Sequence, residues 1–409
     1  MKLIVTIILS VLFFEAFASI HEVCSTCEYK TIVTAYDASE DGDTLIIHEG
    51  EYRIPNWVIK KRITVIGLSN AHLISEKGDE ILTIEKSNVT IKGLTFSGVT
   101  TNYLKENAAI RVKRCRYATI IENKIEDCFF AIYLEKAKNT TIKDNIIDGD
   151  ASSEAESGNG IHAWHCDSLL IEHNKVLHHR DGIYLEFVNN SHVKDNHSHH
   201  NTRYGLHYMF SNDDIYTHNT IEYNGVGVAV MFSRRIIMKE NTFANNWGHA
   251  AYGLLLKEIY DAEITDNHFT QNTVGIFVEG SNRINYLRNE FRRNGWAIKF
   301  SGGCELNTIT DNDFLYNSID LVVSSQLNDN TFNSNYWSEY SGYDLDKDQV
   351  GDVPHYPVKL YSYIQNQVPE SVVLMRSLFV DIINYAERIS PIFTPKDVMD
   401  SSPKMTSRL

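Results

Sequence analysis

Histidine is concentrated in one part of this chain, and this concentration is the clearest chemical signal in the sequence. Of 17 histidines, 12 lie between His162 and His249, and Met209 and Met231 lie among them. Imidazole and thioether together form a soft to borderline ligand set that favours copper over hard cations. Zinc is the alternative for an all-histidine site, and a pH-sensing surface is another, although thioethers do not titrate. The region is therefore predicted to bind a metal, with copper as the first choice.

A repeated unit along the chain predicts how these side chains are positioned. Each unit carries an Asn followed by a short apolar run, and successive Asn residues are 22 to 29 positions apart. Short alternating runs between Asn, Asp and Gly predict strands and turns. A period near 22 without the Leu-x-x-Leu-x-Leu spacing of leucine-rich repeats is typical of a right-handed parallel β-helix, an all-β solenoid. The Asn anchors, expected to stack as an amide ladder, are Asn123, Asn145, Asn174, Asn196, Asn219, Asn241, Asn267, Asn289 and Asn312.

Strand alternation within the repeat assigns side chains to the inside or the outside of the solenoid. Residues one and three places after the Gly of each unit are apolar and are predicted to point inward. Residues two and four places after it are predicted to point to solvent, and they include His207, Met209 and Met231. Successive rungs lie about 4.8 Å apart, so these three are expected to converge, with Glu186 and Tyr184 one rung away. The copper candidates are His207, Met209, Met231, His162, His178 and His200.

The start of the chain and its charge predict an exported protein. Lys2, an apolar run over residues 3–14 and a small-x-small motif ending at Ala18 predict a signal peptide that is cleaved after Ala18. The 38 basic and 53 acidic residues give a net charge of −15, which opposes a nucleic-acid partner. The predicted division is a signal peptide over residues 1–18, a parallel β-helix over residues 19–335 and a C-terminal part over residues 336–409.

A C-S-T-C motif follows the predicted cleavage site. Cys24 and Cys27 are candidates for a local disulfide or for a metal clip, because export permits disulfides. Two cysteines alone do not complete a metal site. A structural role is therefore the favoured interpretation.

The C-terminal part is predicted to form an Asp-rich cap, an amphipathic helix and a flexible tail. Asp344, Asp346, Asp348 and Asp352 occupy positions 1, 3, 5 and 9 of an EF-hand-like loop and are candidate calcium ligands, although position 12 is not Glu. The alternative is a turn whose carboxylates accept backbone hydrogen bonds. Apolar residues at helical spacing predict one amphipathic helix of about 20 residues after Pro369, which packs on the solenoid or docks on a partner, and residues 394–409 are expected to be flexible.

Two segments resemble the NosD family, periplasmic copper-binding maturation factors of nitrous oxide reductase, whose solenoid is of the pectin-lyase-like type. They are R-Y-G-L-H-Y-M-F-S-N-D from Arg203 to Asp213 and N-Y-W-S-E-Y-S-G-Y-D-L-D-K-D-Q-V-G-D-V-P-H-Y-P from Asn335 to Pro357. The resemblance implies a non-catalytic periplasmic protein that works with an ATP-binding-cassette (ABC) transporter of the inner membrane. It also implies that copper arrives from a lipoprotein chaperone and serves the copper-sulfide centre of the reductase. The family's metal role would fall on His207 and Met209.

Other functions share the predicted fold. A secreted polysaccharide lyase, epimerase or hydrolase would need carboxylates and a base in an external groove, for which Glu186 and Asp181 with Arg180 are candidates. The neighbouring rungs offer His and Met, however, where a sugar groove is expected to show Asp and Lys. An adhesive β-helix with no small ligand is the third hypothesis, and it leaves the His and Met enrichment without an explanation.

Overall fold

The computed structural model describes residues 18–155, 157–248, 251–324, 329–374, 377–389 and 398–408. The predicted signal peptide lies outside the described residues except for Ala18. Three parallel sheets run the length of the molecule, and consecutive strands of the chain pass from one sheet to the next. All pairings between named strands in the described part are parallel, as expected of the predicted right-handed parallel β-helix, which is confirmed.

The strands of each sheet recur once per rung. The first sheet contains β1 (Ile20–Val23), β2 (Thr44–Ile47), β5 (Thr64–Gly67), β8 (Thr90–Lys92), β11 (Thr119–Ile121), β14 (Thr141–Lys143), β17 (Leu170–Glu172), β20 (His192–Lys194), β23 (Ile215–Thr217), β26 (Ile237–Lys239), β29 (Tyr260–Thr265), β32 (Asn282–Leu287), β35 (Thr308–Thr310) and β38 (Thr331–Asn333). The second contains β3 (Gly50–Ile54), β6 (Ala71–Ser75), β9 (Thr95–Ser97), β12 (Lys124–Glu126), β15 (Ile146–Asp148), β18 (Lys175–Leu177), β21 (His197–His199), β24 (Thr220–Glu222), β27 (Thr242–Ala244), β30 (His268–Thr270), β33 (Glu290–Arg292), β36 (Asp313–Leu315) and β39 (Tyr336–Trp337). The third contains β4 (Trp57–Ile59), β7 (Leu82–Ile84), β10 (Ala108–Lys113), β13 (Phe130–Glu135), β16 (Asn159–Trp164), β19 (Asp181–Glu186), β22 (Tyr204–Met209), β25 (Val226–Met231), β28 (Tyr252–Lys257), β31 (Val274–Glu279), β34 (Trp296–Ser301) and β37 (Ile319–Val323).

The main core consists of apolar side chains inside the coil and runs along its length. The residues predicted to point inward are all buried: Ile161, Ile183, Leu206, Val228, Leu254, Ile276, Ala163, Leu185, Tyr208, Val230, Leu256 and Val278. The Gly before each of these runs lies against the next rung, since a Cβ on Gly182 would come 2.6 Å from the carbonyl oxygen of Gly205. The recurring Gly therefore permits the close approach of successive coils.

The predicted Asn ladder is present at one turn of the coil. In each rung the backbone N–H and the side-chain amide of the ladder Asn donate to the Oδ1 of the next, as in Asn196 to Asn219 at 3.0 Å for both bonds. A second ladder, which the sequence interpretation missed, follows five positions later and consists of Asn201, Asn224, Asn246, Asn272, Asn294 and Asn317. These amides satisfy backbone groups that the turns would otherwise leave buried and unpaired.

Short helices close the two ends of the solenoid. Helix α1 (Ile32–Ala38) packs at the first rung, while α2 (Leu360–Gln367), a 3-10 helix (Pro369–Leu374) and α3 (Leu378–Ile389) follow the last. The single helix of about 20 residues predicted after Pro369 is wrong, because that stretch is divided between the 3-10 helix and the 12-residue α3. Within the described part of the chain, no helix has the length and apolar character needed to cross a membrane.

The end of the chain is not a free tail. The expectation of flexibility for residues 394–409 is wrong over residues 398–408, where Asp400 is fully buried. Its carboxylate accepts hydrogen bonds from Ser334 N, Asn335 N, Asn335 Nδ2 and Trp337 Nε1 at 3.0 to 3.1 Å. Asp400 thus takes the next position of the Asn ladder. The sequence gives no signal for this role, because Asp400 lies outside the repeated units.

Candidate functional site

The candidate metal site lies on the outer face of the third sheet, where β16, β19, β22 and β25 are consecutive strands. Parallel pairing places Tyr184 beside His207 and aligns Glu186, Met209 and Met231 in one column. The structure thus brings His207, Met209 and Met231 to one patch, as the alternation predicts.

The outward column that contains His207 is not exposed, contrary to the expectation that it points to solvent. His162 and His207 are each only 6% exposed. Their rings belong to a row of four contacting rings, called the ring stack below. Between ring centroids, Tyr133 lies 4.4 Å from His162 and Tyr184 lies 4.5 Å from His207, both stacked, while His162 meets Tyr184 edge-on at 4.8 Å. Each ring shields its neighbours from solvent, so these side chains are buried although they point outward from the coil.

His207 is held by a buried charge network. Its Nδ1 lies 3.2 Å from Oδ2 of Asp181, and Arg203 makes two hydrogen bonds to the same carboxylate, with Nε at 2.7 Å and Nη2 at 2.5 Å. Burial acts to raise the pKa of Asp181, but the hydrogen bonds from Arg203 and His207 outweigh it and lower the pKa to about 2. An ionised carboxylate can only accept, so Nδ1 of His207 is the donor to Asp181. In the tautomer that this hydrogen bond selects, the lone pair lies on Nε2, where it can bind a ligand.

The other nitrogen of His207 has no hydrogen-bond partner. Its Nε2 is buried and unpaired, and the rings of Tyr184 and Tyr204 each lie 4.5 Å from the His207 ring between centroids. Buried polar atoms normally have partners, and a carboxylate-oriented imidazole with a free nitrogen is the arrangement of a metal-binding histidine. The donor set therefore fits a soft cation.

A thioether lies on the same strand face as His207, two residues further along β22. Tyr184 Oη donates to Sδ of Met209 at 3.5 Å, and Met231 is the register partner of Met209 on the next rung. Burial raises the pKa of Tyr184, so the phenol is neutral and remains a donor. One imidazole and two thioethers are thus grouped on this face, with the Glu186 carboxylate in the same column as the thioethers. The nitrogen and sulfur donors suit Cu(I).

His162 differs from His207 in its hydrogen bonding. Oδ1 of Asn159 accepts from Arg180 at 3.1 Å, which directs the Asn159 amide to donate to Nδ1 of His162 at 3.0 Å. The proton of His162 therefore lies on Nε2, which is buried and unpaired. Burial, with the charge of Arg180 as a second cause, lowers the pKa of His162 to about 3, and the ring is a neutral member of the stack with no free lone pair.

His178 and His200 lie elsewhere, on the turns that precede β19 and β22, so the structure does not bring them to the His207 patch. Both adopt φ of 55°, and their ring centroids are 6.0 Å apart. His178 pairs with Asp148 at 2.7 Å, and His200 shares a hydrogen bond with His199 at 2.7 Å between Nδ1 atoms. The six copper candidates therefore fall into two groups.

The Asp-rich loop brings three of its four predicted ligands together. Ligand atoms of Asp344, Asp346 and Asp348 lie within 4.8 Å of one another, and the charge of Asp348 raises the pKa of Asp346. Asp352 instead accepts a hydrogen bond from Leu345 N at 2.7 Å. Asp344 accepts backbone bonds from residues 347, 348 and 349, so its carboxylate also stabilises the turn.

Two features near the site were missed in the sequence. The pairing of Asp181 with Arg203 joins residues 22 positions apart, which is one repeat, so a comparison of successive units could have found it. A phenylalanine directly follows Glu186, Met209 and Met231 on each rung, and the three form an exposed aromatic stack. The ring centroids of Phe187 and Phe210 lie 5.0 Å apart, and those of Phe210 and Phe232 lie 5.1 Å apart. This stack borders the thioethers and widens the apolar surface around them.

The chain is similar to copper-binding proteins of one family. The model of the periplasmic copper-binding protein NosD matches residues 143–342, and that of the right-handed beta helix region matches residues 64–165. The probable ABC transporter binding protein NosD of Pseudomonas aeruginosa is 27% identical, over 86% of this chain and 85% of that protein. A protein of the same description from Stutzerimonas stutzeri is 26% identical, over 87% and 85%.

Solved structures resemble the chain at the level of the fold. The family 28 exopolygalacturonase of Yersinia enterocolitica superposes with a TM-score of 0.55 at 10% sequence identity, covering 77% of this chain and 78% of the enzyme. An identity this low shows a shared parallel β-helix and carries no information on activity.

Proposed function

Because this chain belongs to the NosD family of periplasmic copper-binding proteins, we propose that it is a periplasmic accessory protein that holds copper as cargo and works with an ABC transporter. We also propose that a lipoprotein chaperone delivers the copper, and that the cargo serves assembly of the copper-sulfide centre of nitrous oxide reductase. In this proposal the chain carries metal and catalyses no reaction on polysaccharide.

The observation that carries the proposal is the free Nε2 of His207. This nitrogen is buried and unpaired, its ring is oriented by Asp181, and Met209 lies two residues further on the same strand face. In the proposed site, Nε2 of His207 and the sulfurs of Met209 and Met231 receive Cu(I). His162 is assigned to the supporting ring stack, and His178 and His200 to a separate surface.

The surrounding residues would set how firmly the cargo is held. Thioethers are uncharged ligands, so a Cu(I) ion bound by one imidazole and two sulfurs keeps its positive charge within the site. The Arg203 guanidinium is already neutralised by Asp181, at 2.5 Å, and so adds little repulsion. A site of this kind holds copper by soft donors alone, which favours transfer to a partner with thiolate or sulfide ligands.

The C-terminal helices provide the proposed surface for the transporter. Trp296 Nε1 donates to Gln365 at 3.1 Å, and Val380 packs in a small core with Tyr361 and Ile319, so the helices are fixed to the last rungs. On the opposite side α3 exposes apolar side chains: Leu378, Phe379, Ile382 and Tyr385. An exposed apolar face on a fixed helix is typical of a docking surface.

The copper proposal is tested by competition titration of the mature chain with Cu(I) against a chromophoric chelator. We expect His207→Ala combined with Met209→Ala to weaken Cu(I) binding at least about tenfold. The matched control is His72→Ala with Met399→Ala, one His and one Met outside the patch, which should bind as the parent chain does. Equal affinity of the first double variant and the parent would contradict the site.

A second candidate function, action on a uronate polymer, is favoured by one observation. Tyr184 and His207, whose ring centroids lie 4.5 Å apart on the outer face of the third sheet, are groups capable of proton transfer. Under the copper proposal, incubation with polyuronates yields neither unsaturated sugars nor epimerised residues. Turnover that disappears in His207→Ala would favour the enzyme instead.

We also propose that Asp344, Asp346 and Asp348 bind calcium, which would offset the mutual repulsion of their carboxylates. Adding Ca²⁺ should raise the thermal unfolding temperature, and Asp346→Asn should abolish this increase. Asp37→Asn, a change in a carboxylate near the other end of the chain, is the control. No change with Ca²⁺ would leave the loop as a turn stabilised by its own hydrogen bonds.

A further inference from the structure

A second group of metal-ligating side chains lies at the opposite end of the solenoid, outside the proposed copper site. Ligand atoms of Glu22, Cys27 and His48 lie within 4.8 Å of one another, one of two such groups of His, Cys, Asp and Glu among the described residues. Nε2 of His48 lies 3.1 Å from Oε2 of Glu22. Cys27 is joined to Cys24 by a disulfide, so a fourth donor, the Cys24 sulfur, is adjacent.

The first rung fixes the backbone from which these side chains extend. Strand β1 pairs with β2 in register, and Val23 is fully buried in the core. His48 N donates to the carbonyl oxygen of Val23 at 3.1 Å, and Tyr52 Oη donates to the carbonyl oxygen of His48 at 3.0 Å. The positions of Glu22, Cys24 and His48 are therefore set by ladder hydrogen bonds rather than by a free chain end.

The loop between the two cysteines brings a backbone donor to one sulfur and an ammonium group to the loop carbonyls. The backbone N–H of Cys27 donates to Sγ of Cys24 at 2.9 Å, a hydrogen bond that favours the charged form of the sulfur. Nζ of Lys30 donates to the carbonyl oxygens of Ser25 at 2.8 Å and Cys27 at 2.6 Å, which places a positive charge beside the pair. A nearby ammonium and a backbone donor are the features that favour thiolate over thiol.

We propose that reduction of the Cys24–Cys27 disulfide creates a metal site in which both thiolates, Nε2 of His48 and the Glu22 carboxylate bind one thiophilic d¹⁰ cation, Zn(II) or Cu(I). Two sulfurs, one imidazole and one carboxylate complete the tetrahedral donor set that a structural zinc site needs, and the thiolates suit Cu(I) equally. Ligand atoms of such a site are about 3 to 4 Å apart, so the cluster needs only small side-chain movements. Oxidation closes the site by removing two donors.

The redox step balances with a dithiol as the reductant. The dithiol supplies two electrons, the bond between the Cys24 and Cys27 sulfurs breaks, and the reductant becomes a disulfide. Its two protons pass to the cysteine sulfurs and are released when the cation binds. The hydrogen bond between His48 and Glu22 breaks when the metal binds, and the proton of the neutral ring then lies on Nδ1, which leaves Nε2 free to bind the cation.

The test is a Zn(II) and a Cu(I) competition titration of the mature chain in oxidised form and after anaerobic reduction and desalting. Both are carried out in a His207→Ala, Met209→Ala background, so that the proposed copper site does not contribute. We expect the reduced chain to bind one equivalent of at least one of the two cations about tenfold or more tighter than the oxidised chain. His48→Ala should weaken binding to the reduced chain by a factor of roughly ten to a hundred, while His72→Ala should leave the affinity unchanged.

Co(II) substitution provides a readout that does not depend on affinity. Thiolate coordination gives sulfur-to-metal charge-transfer absorption in the reduced chain, and a Cys24→Ser, Cys27→Ser variant with an unaltered β-sheet circular dichroism spectrum should lack it. The proposal is overturned if reduction produces no gain in binding of either cation. It is equally overturned if the gain persists unchanged in His48→Ala.

Discussion

At the scale of single residues, hydrogen bonding distinguishes two histidines that occupy equivalent positions on coils separated by one rung, that of Tyr184. His207 donates its Nδ1 proton to a buried carboxylate, whereas His162 accepts a hydrogen bond at Nδ1 from the amide of Asn159. The first arrangement leaves an acceptor nitrogen at Nε2 and the second leaves a donor. A soft cation can therefore bind Nε2 of His207, whereas Nε2 of His162 carries a proton.

This difference yields a prediction for His162. His162→Ala should change Cu(I) affinity by less than about twofold, because the ring supports the stack and offers no lone pair, whereas His207→Ala should weaken binding about tenfold. Chelator competition on both variants measures the ratio. A His162→Ala effect as large as that of His207→Ala would show that the tautomer assignment is wrong.

At the scale of elements, the sequence repeat predicted the coil, the first Asn ladder and the inward columns. These features could be predicted because the residues that form them recur in every repeat unit. What depends on single residues could not be predicted. The burial of His207 follows from ring stacking with Tyr184 and Tyr204, and the separation of His178 from it follows from the turn where β18 ends. The division of the C-terminal helix depends likewise on local backbone conformation that apolar spacing does not encode.

The ladder yields a stability prediction. Asn196 donates from Nδ2 to the carbonyl oxygens of Ile171 and Lys194 and to Asn219, and its Oδ1 accepts from Asn174. Asn196→Ala leaves several of these buried groups unpaired, at about 1 to 3 kcal/mol each, so the free energy of unfolding should fall by roughly 3 kcal/mol or more. Urea denaturation measures it. Asn190→Ala, a substitution at an exposed turn position on the same rung, should have a much smaller effect.

A buried carboxyl in the same coils yields a pH prediction. Asp214 accepts hydrogen bonds from Ser191 N at 2.8 Å and from Tyr216 Oη at 3.1 Å, yet burial raises its pKa from 3.8 to about 8. Because the folded-state pKa is the higher one, the stabilisation by the bound proton is complete below about pH 4 and is lost as the pH rises toward 8.

Asp214→Asn keeps an acceptor oxygen for Ser191 N and removes the titrating carboxyl group. An Asn can fill this role, since Oδ1 of Asn307 accepts a hydrogen bond from Ile284 N in a later turn. The unfolding temperature of the variant relative to the parent should therefore rise steadily between about pH 5 and pH 8. A difference that is independent of pH would contradict the raised pKa. Asp213→Asn, next to it but exposed and paired with Arg235, is the control.

At the scale of the whole molecule, the solenoid is closed by different devices at its two ends. The first rung is covered by α1 and the disulfide loop, and the last is completed by Asp400, which arrives from 65 residues beyond its partner Asn335. A solenoid that ended without such partners would expose unpaired strand edges and ladder groups. The end of the chain therefore contributes to the stability of the last coils.

Asp400→Ala tests this closure. Four hydrogen bonds to the last rung are lost and Asn335 and Trp337 are left with buried donors, so local unfolding of the last rungs should become easier. Hydrogen exchange of the amides in β36 and β39 should accelerate about tenfold or more, while exchange in β10 to β16 should be unchanged. Uniform acceleration along the solenoid would contradict a local role.

The helical face opposite the core yields a prediction about assembly. Phe379→Asp combined with Ile382→Asp should abolish co-purification with the membrane subunit of the ABC transporter, because a charged face cannot replace apolar contacts. Tyr117→Asp with Tyr316→Asp, at exposed aromatic positions on the solenoid, is the control that should retain the complex. Retained assembly of the α3 variant would place the docking surface elsewhere.

The central claim, that His207, Met209 and Met231 together receive Cu(I), is tested most directly by X-ray absorption spectroscopy of residues 19–409 loaded with one equivalent of Cu(I). We predict a copper environment of one imidazole nitrogen and two sulfur scatterers, with the sulfur contribution reduced in Met209→Ala and again in Met231→Ala. A spectrum with only nitrogen or oxygen scatterers, or one unchanged by both substitutions, would contradict the claim.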